Sequence, residues 1–391
     1  MSTGAPGSEP AGGAGAPLDG YLGDGTRAVH AGAAEPVIGA PLLAGPVFAA
    51  PYHLAGAPAP GPDEPIGYAR ADNPTYRAFE RAVGQLEGGE AVVFASGMAA
   101  LTAVLFSVLE VGDTVVVPAD GYYEGRTLAR DHLVRFGVRV REVATTELYG
   151  VALDDAALVL AESPANPGLD VCDLAALGVA VHARGALLAV DNTTATPLGQ
   201  RPLALGADFS VASDTKALTG HSDLLLGHVA GRAAALMERV RGWRQRSGSL
   251  PGPFETWLAH RSLGTLDLRL ARQAGNALVV AELLRGQPEV TGLRYPGLPD
   301  DPSYPVASKQ MRRHGGVLSF TVPDAEFVDR LVSGSRLMSA ATSFGGLHTT
   351  LDRRAQWGGD AVPEGFIRLS VGCEDADDLV ADLSAAFESA R

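Results

Sequence analysis

Asp208-Phe209-Ser210-Val211-Ala212-Ser213-Asp214-Thr215-Lys216 is the stretch on which the fold reading turns. Its first five residues have the pattern of a short buried strand. In an open α/β sheet, ligands collect beyond the carboxyl ends of the strands. A strand that runs into the Ser213 and Thr215 hydroxyls and then an amine sets a phosphate-binding pair and a nucleophile at the mouth of a site. The chain has 391 residues and 31 basic side chains, of which only Lys216 and Lys309 are lysines. Arg stays charged, whereas a desolvated Lys amine loses its proton and attacks a carbonyl. A Lys at 216 in so Arg-rich a chain therefore points to a task Arg cannot perform. The Arg, Ala and Gly bias also makes Lys scarce, so the argument rests on the surroundings of Lys216 and not on scarcity alone.

The same strand, loop, helix pattern repeats from about Glu90 to Val229. Candidate strands are Ala91–Ala95, Thr114–Pro118, Val138–Val143, Ala157–Ala161, Ala186–Val190, Asp208–Ala212 and Leu226–Ala230. Short apolar runs separated by helical stretches predict a mostly parallel sheet covered by helices on both faces. Past Leu250-Pro251-Gly252-Pro253 the character changes. Phe254 to Arg285 reads as one long helical stretch. It leads to a smaller α+β unit with strands at Gly316–Val322 and Phe366–Val371 and a closing helix over Asp375–Ser389. The expected division is a disordered tail over 1–20, an N-terminal arm for subunit contacts over 21–65, a large cofactor-binding domain over 66–253 and a small domain over 254–391.

Four further strand ends carry polar residues, each with two readings. Ser96-Gly97-Met98 opens a helix, either as a simple N-cap or as an anion site built from free N–H groups and the helix dipole. Asp191-Asn192-Thr193 offers either another cap or a carboxylate that holds a protonated ring nitrogen. Glu162-Ser163-Pro164-Ala165-Asn166-Pro167 is either an ordinary turn or a stiffened loop that aims the Asn166 amide. Tyr122 is either a buried aromatic or a platform for a flat cofactor. An anion nest, an aromatic ring, a carboxylate, an amide and an imine-forming lysine at one end of one sheet together describe pyridoxal 5′-phosphate (PLP).

The bulk numbers bound the remaining classes. A formal charge of −14 argues against nucleic acid and against an anionic membrane surface. No apolar run approaches the roughly 20 residues that span a bilayer, and the expected location is the cytoplasm. The segment from Met1 to Pro17 lacks the basic and apolar regions of a signal peptide and reads as a disordered tail. Cys172 and Cys373 lie too far apart for a disulfide framework or metal spacing and read as buried free thiols. No metal is expected.

From about Thr26 onward the chain resembles the Cys/Met metabolism (transsulfuration) family of PLP enzymes, of fold type I. The resemblance rests on Tyr68-Ala69-Arg70-Ala71-Asp72-Asn73-Pro74-Thr75, Ala95-Ser96-Gly97-Met98-Ala99-Ala100, Glu162–Pro167, Val190-Asp191-Asn192-Thr193-Thr194, Ser213–Lys216 with Gly220-His221-Ser222-Asp223, and Arg368-Leu369-Ser370-Val371-Gly372. It implies an aspartate aminotransferase-like α/β fold with a smaller C-terminal domain. It implies that Lys216 is the imine-forming lysine and proton shuttle, with Tyr122 stacked on the ring as a second catalytic group. Ser96, Gly97, Met98, Ser213 and Thr215 would form the phosphate cup, Asp191 would pair with the ring nitrogen, and Thr193 would also bind the cofactor. Asn166 would sit near the ring hydroxyl. Arg368 would clamp the α-carboxylate of an amino-acid substrate, beside Ser343. Tyr68 and Arg70 would reach the phosphate of a neighbouring subunit, in a dimer within a homotetramer. The implied activity is elimination at the γ-carbon of an L-amino acid. The alternatives are γ-replacement, β-elimination, or a PLP-binding partner protein without turnover.

Two positions depart from the family. Its members commonly carry an acidic residue where this chain has His348, and Gly-Gly where it has Tyr123-Glu124. Either these are drift with the usual substrate, or Glu124 and His348 face the substrate's distal end and the leaving group is not the cysteine of cystathionine. A nicotinamide-binding fold is disfavoured because no Gly-x-Gly-x-x-Gly follows the first strand.

Overall fold

The computed structural model describes residues 22–33, 36–54, 67–148 and 153–391. The expected tail over 1–20, and part of the expected arm over 21–65, lie outside the described residues.

Seven strands form the larger sheet: β1 (Glu90–Phe94), β2 (Thr114–Pro118), β3 (Arg139–Val143), β4 (Ala156–Glu162), β5 (Leu187–Asp191), β6 (Phe209–Ala212) and β7 (Gly227–Gly231). Their order is β1-β7-β6-β5-β4-β2-β3. All seven lie within a residue or two of the segments read from sequence. β2 to β6 pair in parallel, whereas β7 runs antiparallel to both β1 and β6. Parallel neighbours need a crossover, usually a helix. β6 and β7 are joined instead by residues 213–226, the segment that carries Lys216, so the chain turns back on itself there.

Both faces are covered, as the continuous burial of β2 and β7 requires. On one face Val92, Phe94, Val115, Val117 and Phe209 pack with Val104 and Met237 from the helices Gly97–Val108 and Ala234–Ser247. On the other, Val93 and Ala230 pack with Phe79 and Leu86 of the helix Pro74–Glu87 and with Ala259 and Leu263 of Pro253–Leu263. Val116, Val159, Leu188 and Val190 pack with Leu174 and Leu177 of the helix Leu174–His182.

The expected single helix from Phe254 to Arg285 is two helices, Pro253–Leu263 and Leu266–Arg285, interrupted at Gly264 and Thr265. Gly is among the weakest helix formers. The second of these helices bridges the molecule. Leu266 and Leu270 belong to the large-sheet core, whereas Ala277, Val280, Ala281 and Leu284 belong to the core of a second sheet.

That smaller sheet holds β8 (Thr291–Arg294), β9 (Val317–Thr321), β10 (Ser339–Ala340), β11 (Thr350–Arg353) and β12 (Phe366–Ser370), in the order β10-β11-β12-β9-β8. β9, β12 and the closing helix Ala376–Ala390 match the sequence reading. β8, β10 and β11 were not anticipated. They are short and carry Gly, Ser, Asp and Arg, so no alternation of apolar and polar residues marks them. Cys172 is buried as expected, but Cys373 is only half-buried, a correction that follows from its place past the end of β12, where the chain leaves the buried Gly372 for the exposed Asp375. No helix among the described residues is long and apolar enough to cross a membrane.

Candidate active site

A cavity opens where the carboxyl ends of β1, β2, β4, β5 and β6 face loops of the smaller sheet. Lys216, Tyr122, Asn166, Asp191, Arg368 and Ser343 all line it, as do Ser96, Gly97, Met98, Thr193, Ser213 and Thr215. Residues from seven separate segments therefore meet in one place.

The phosphate-side geometry follows from a close approach. Ser96 ends the turn after β1, and its Oγ accepts from the Ala99 N–H at 3.1 Å, so it caps the helix Gly97–Val108. The first-turn N–H groups of a helix have no intrahelical partner and carry the positive end of its dipole. Here that terminus faces Ser213 and Thr215 across the cavity. A Cβ on Gly97 would lie 2.5 Å from the Ser213 Cβ, so no larger residue fits between the cap and the Lys216 turn. Both readings of Ser96 hold together: it is a cap, and the capped terminus opens on the site.

Asp191 ends β5. One of its oxygens accepts from the Thr193 N–H at 2.9 Å, and the Thr193 hydroxyl accepts from the Ser213 N–H at 2.8 Å, which ties β5 to the Lys216 turn. Asp191 does not cap the next helix, Thr196–Gly199, which has no side-chain cap. Burial raises its carboxyl above the ordinary range, against the pull of Thr193, His228 and Lys216. A buried carboxylate raised in this way gains most from a cationic hydrogen-bond donor, the property of a pyridinium nitrogen.

Lys216 Nζ donates to Ser343 Oγ at 2.9 Å and stands 5.6 Å from the centroid of the Phe344 ring. Burial, and next the positive charge of Arg368, lower its pKa to about 8, with Asp191 opposing. At pH 7 about one molecule in ten then carries a neutral amine, against on the order of one in three thousand at the ordinary lysine value. In cofactor-free protein, labelling of Lys216 by an amine-directed reagent should therefore rise with pH around a midpoint near 8. Peptide mass spectrometry would follow it, and a midpoint above 10 would contradict the desolvated amine.

Arg368, on β12, is buried beside the lysine. Its Nη1 donates to Asn166 Oδ1 at 2.7 Å, and its Nη2 to the Ser343 carbonyl and to Asp352 Oδ2, both at 2.9 Å. Its Nε is buried with no protein partner. A guanidinium already fixed on two nitrogens, with a further donor unspent, suits a carboxylate ligand. Burial, and next Arg354, lower its pKa to about 10, so it stays charged at neutral pH. Ser343 has φ +75, in the left-handed region that a non-glycine residue seldom adopts.

Tyr122 is 39% exposed and presents its ring to the cavity, which favours the platform over the buried aromatic. Burial, and next Tyr123 and Glu124, raise its phenol pKa, so it holds its proton at neutral pH.

Four lining or supporting residues were missed from sequence. Glu162, at the end of β4, accepts from the N–H groups of Tyr122 and Asn166, each at 2.7 Å, and so sets the two loops against each other. Its carboxyl is raised well above the ordinary range by burial and by Asp191. Its position just before Ser163-Pro164 was the available signal. Arg126 donates to the carbonyls of Gly121 and Gly359, each at 2.7 Å. Arg354 donates to Asp352 at 2.8 Å and to Asp360 at 2.6 Å. Asp352 holds both Arg354 and Arg368. No sequence pattern distinguishes these last three from surface charges.

Four predicted residues are not among those lining the cavity. Tyr68 and Arg70 lie near an isolated bridge between Pro51 and Tyr68. Both are exposed, with the Arg70 guanidinium 5.3 Å from the Tyr68 ring centroid. Glu124 bonds to Tyr123 in the first turn of the helix Tyr123–Asp131. His348 faces a wider vestibule that also reaches Lys216, Ser343 and Glu255.

The residues fit PLP: the cap, the buried carboxylate, the exposed ring and the desolvated lysine stand where its phosphate, ring nitrogen, ring face and aldehyde would need them. The model of the family described as Cys/Met metabolism PLP-dependent enzyme matches residues 26–388. A Streptomyces coelicolor protein that bears the provisional name cystathionine gamma-lyase is 59% identical over 94% of each chain. The L-methionine gamma-lyase of Pseudomonas putida is 38% identical over 82% of this chain and 85% of its own. The solved structure of cystathionine gamma synthase from Xanthomonas oryzae pv. oryzae, in complex with aminoacrylate and cysteine, superposes with a TM-score of 0.88. It is 32% identical and covers 95% of this chain and 99% of that one. On its sequence and its fold alike, the chain belongs to the Cys/Met metabolism family of PLP-dependent enzymes.

Proposed function

We propose that this enzyme catalyses elimination at the γ-carbon of an L-amino acid. The observation that carries the amino-acid chemistry is the adjacency of Lys216 and Arg368, joined through Ser343, in one cavity, and the likeness to proteins named for γ-lyase activity supports the γ-position. Bound PLP supplies an amine-capturing carbonyl and a ring that accepts the electrons of a Cα–H bond. Arg368 holds the substrate carboxylate, and Asn166, Asp352 and the Ser343 carbonyl hold Arg368. That two-point grip fixes the Cα–H bond relative to Lys216. Lys216 Nζ takes the Cα proton and returns protons to later positions. Asp191, supported by Thr193, would keep the ring nitrogen protonated. The N–H groups of Gly97 and Met98, with the hydroxyls of Ser96, Ser213 and Thr215, would hold the phosphate. Tyr122 would offer its ring to the cofactor and keeps its phenolic proton at neutral pH.

Tyr68 and Arg70 act from a neighbouring subunit. In support, they are exposed away from their own cavity, and Val37, Ile38, Leu42 and Phe48 leave a large apolar area uncovered on the same N-terminal segment. The assembly is a homodimer within a homotetramer, and the location is the cytoplasm.

A substrate screen on purified protein with added PLP tests the reading. L-Cystathionine, L-cysteine, L-methionine, O-acetyl- and O-succinyl-L-homoserine and γ-halogenated amino acids would be offered, and oxoacid, ammonia and amino-acid products read. Elimination at Cγ releases 2-oxobutyrate and ammonia. Pyruvate would point to β-elimination, and a new thioether without oxoacid to γ-replacement. Turnover of another γ-substituted substrate but not of cystathionine would favour a changed leaving-group pocket. Silence on every substrate would overturn the enzymatic reading.

A further inference from the structure

Asp214 lies between Ser213 and Thr215, both of which line the cavity, yet its own side chain is fully buried in the interior. There its Oδ1 stands 2.6 Å from His228 Nδ1, and His228 Nε2 stands 3.2 Å from Glu87 Oε1. All three side chains have zero exposure. With a carboxylate at each ring nitrogen, the imidazole holds both protons. Burial works against that charge, but Asp214, and next Glu87, override it and push the His228 pKa up to about 10.

Three elements meet in this cluster. Glu87 is the last residue of the helix Pro74–Glu87, His228 sits on β7 opposite Ala212 of β6, and Asp214 belongs to the turn that carries Lys216. The turn is fastened to β7 a second time. Thr215 N–H and Oγ1 donate to the Leu226 carbonyl at 3.3 and 3.2 Å, and Leu226 N–H donates back to Thr215 Oγ1 at 3.0 Å. The Asp214 carbonyl also accepts from Thr219 Oγ1 at 2.7 Å. β6 and β7 have no helical crossover, so these bonds fasten the loop to the sheet, together with the Ser213–Thr193 bond and Arg269, which donates to the carbonyls of Ala217 at 2.7 Å and Leu218 at 3.0 Å.

A buried charge cluster costs stability relative to apolar packing of the same volume. Asp214 Oδ2 and Glu87 Oε2 are, in addition, buried without a protein partner. The cluster is thus a poor way to fill a core, and its value lies in its direction. The His228 charge also acts on Asp191 and favours its ionised form.

We propose that Asp214, His228 and Glu87 form a buried ionic clamp that sets the height of the Ser213–Lys216 turn over the sheet, and so positions the groups that hold PLP. This rests on the cofactor assignment above. The three are positioning residues, since none touches the cavity.

The test compares the parent, Asp214→Ala, Asp214→Asn and His228→Leu, each stripped of cofactor and titrated with pyridoxal 5′-phosphate. Affinity, visible circular dichroism per bound cofactor and melting temperature of the cofactor-free form are read. Asp214→Ala and His228→Leu should each raise the cofactor Kd tenfold or more and at least halve the visible dichroism, which reports ring orientation. Asp214→Asn keeps shape and an acceptor, and should recover part of both; it also carries the test if the alanine variant does not fold. Kd within twofold of the parent with superimposable dichroism would overturn the clamp, even if the melting temperature fell. A parent without a visible band that Lys216→Ala removes would overturn the cofactor assignment itself, and is distinguishable on that ground.

Discussion

Replacing Lys216 by alanine should cut turnover by roughly 10³-fold or more, the range associated with loss of a positioned proton-transfer group. The loss should be confined to chemistry. Lys216 Nζ has one hydrogen bond, to Ser343 Oγ, and a 5.6 Å approach to the Phe344 ring, so truncation leaves the surrounding cores untouched. The far-ultraviolet spectrum and the melting temperature of the cofactor-free protein should therefore match the parent closely. Lys216→Arg should be as inactive as the alanine variant, because a guanidinium neither loses its proton at pH 7 nor forms an imine. The only other lysine in the chain is Lys309, on the helix Tyr304–Gln310, so no neighbouring amine can stand in. Single-turnover release of oxoacid at saturating cofactor measures the effect. A variant that keeps more than a tenth of the parent rate would remove Lys216 from the mechanism.

Arg368→Leu should lower kcat/KM by about 10²-fold or more, mainly through KM. Truncating one partner of a buried hydrogen-bonded charge pair costs about 2–5 kcal/mol. Two losses add here: the substrate carboxylate loses its grip, and Asn166 loses the 2.7 Å bond that aims its amide. The stability cost should be smaller. Asp352 keeps Arg354 at 2.8 Å, Trp357 Nε1 at 2.8 Å and Gln356 at 3.2 Å, so it is not left as an unpaired buried charge. Arg368→Lys should recover little, because a single ammonium cannot span Asn166, Asp352 and the Ser343 carbonyl at once. With the Arg368 pKa lowered to about 10, the parent's grip should persist across the neutral range and weaken only as pH approaches that value. Steady-state kinetics of the variants against pH would show this, and an unchanged KM would place the carboxylate elsewhere.

The seven strands of the larger sheet were legible because each is a short apolar run buried on both faces. The site residues at their ends were legible because a Ser, Asp, Asn or Lys directly after such a run lies where ligands collect. The reversal of β7 was not legible. Burial of both faces makes a parallel and an antiparallel central strand look alike, and only the pairing of Ala212 with His228 separates them. Glu124 and His348 read as facing the substrate's distal end because they depart from the residues the family carries after Tyr122 and Ser343. Glu124 bonds to its neighbour Tyr123, and His348 lines the vestibule that also reaches Lys216 and Ser343.

Cofactor chemistry and the positions of the large-sheet strands were thus written in local patterns: apolar runs, the polar residues that end them, and a lysine among arginines. Local patterns report only what neighbours in sequence do. The bond from Arg368 to Asn166, the Glu162 bridge to the Tyr122 loop and the link from His228 to Glu87 each join residues far apart in the chain. A buried charge and a solvated one have the same letter, and only packing decides which partner each meets and whether water is there to screen it.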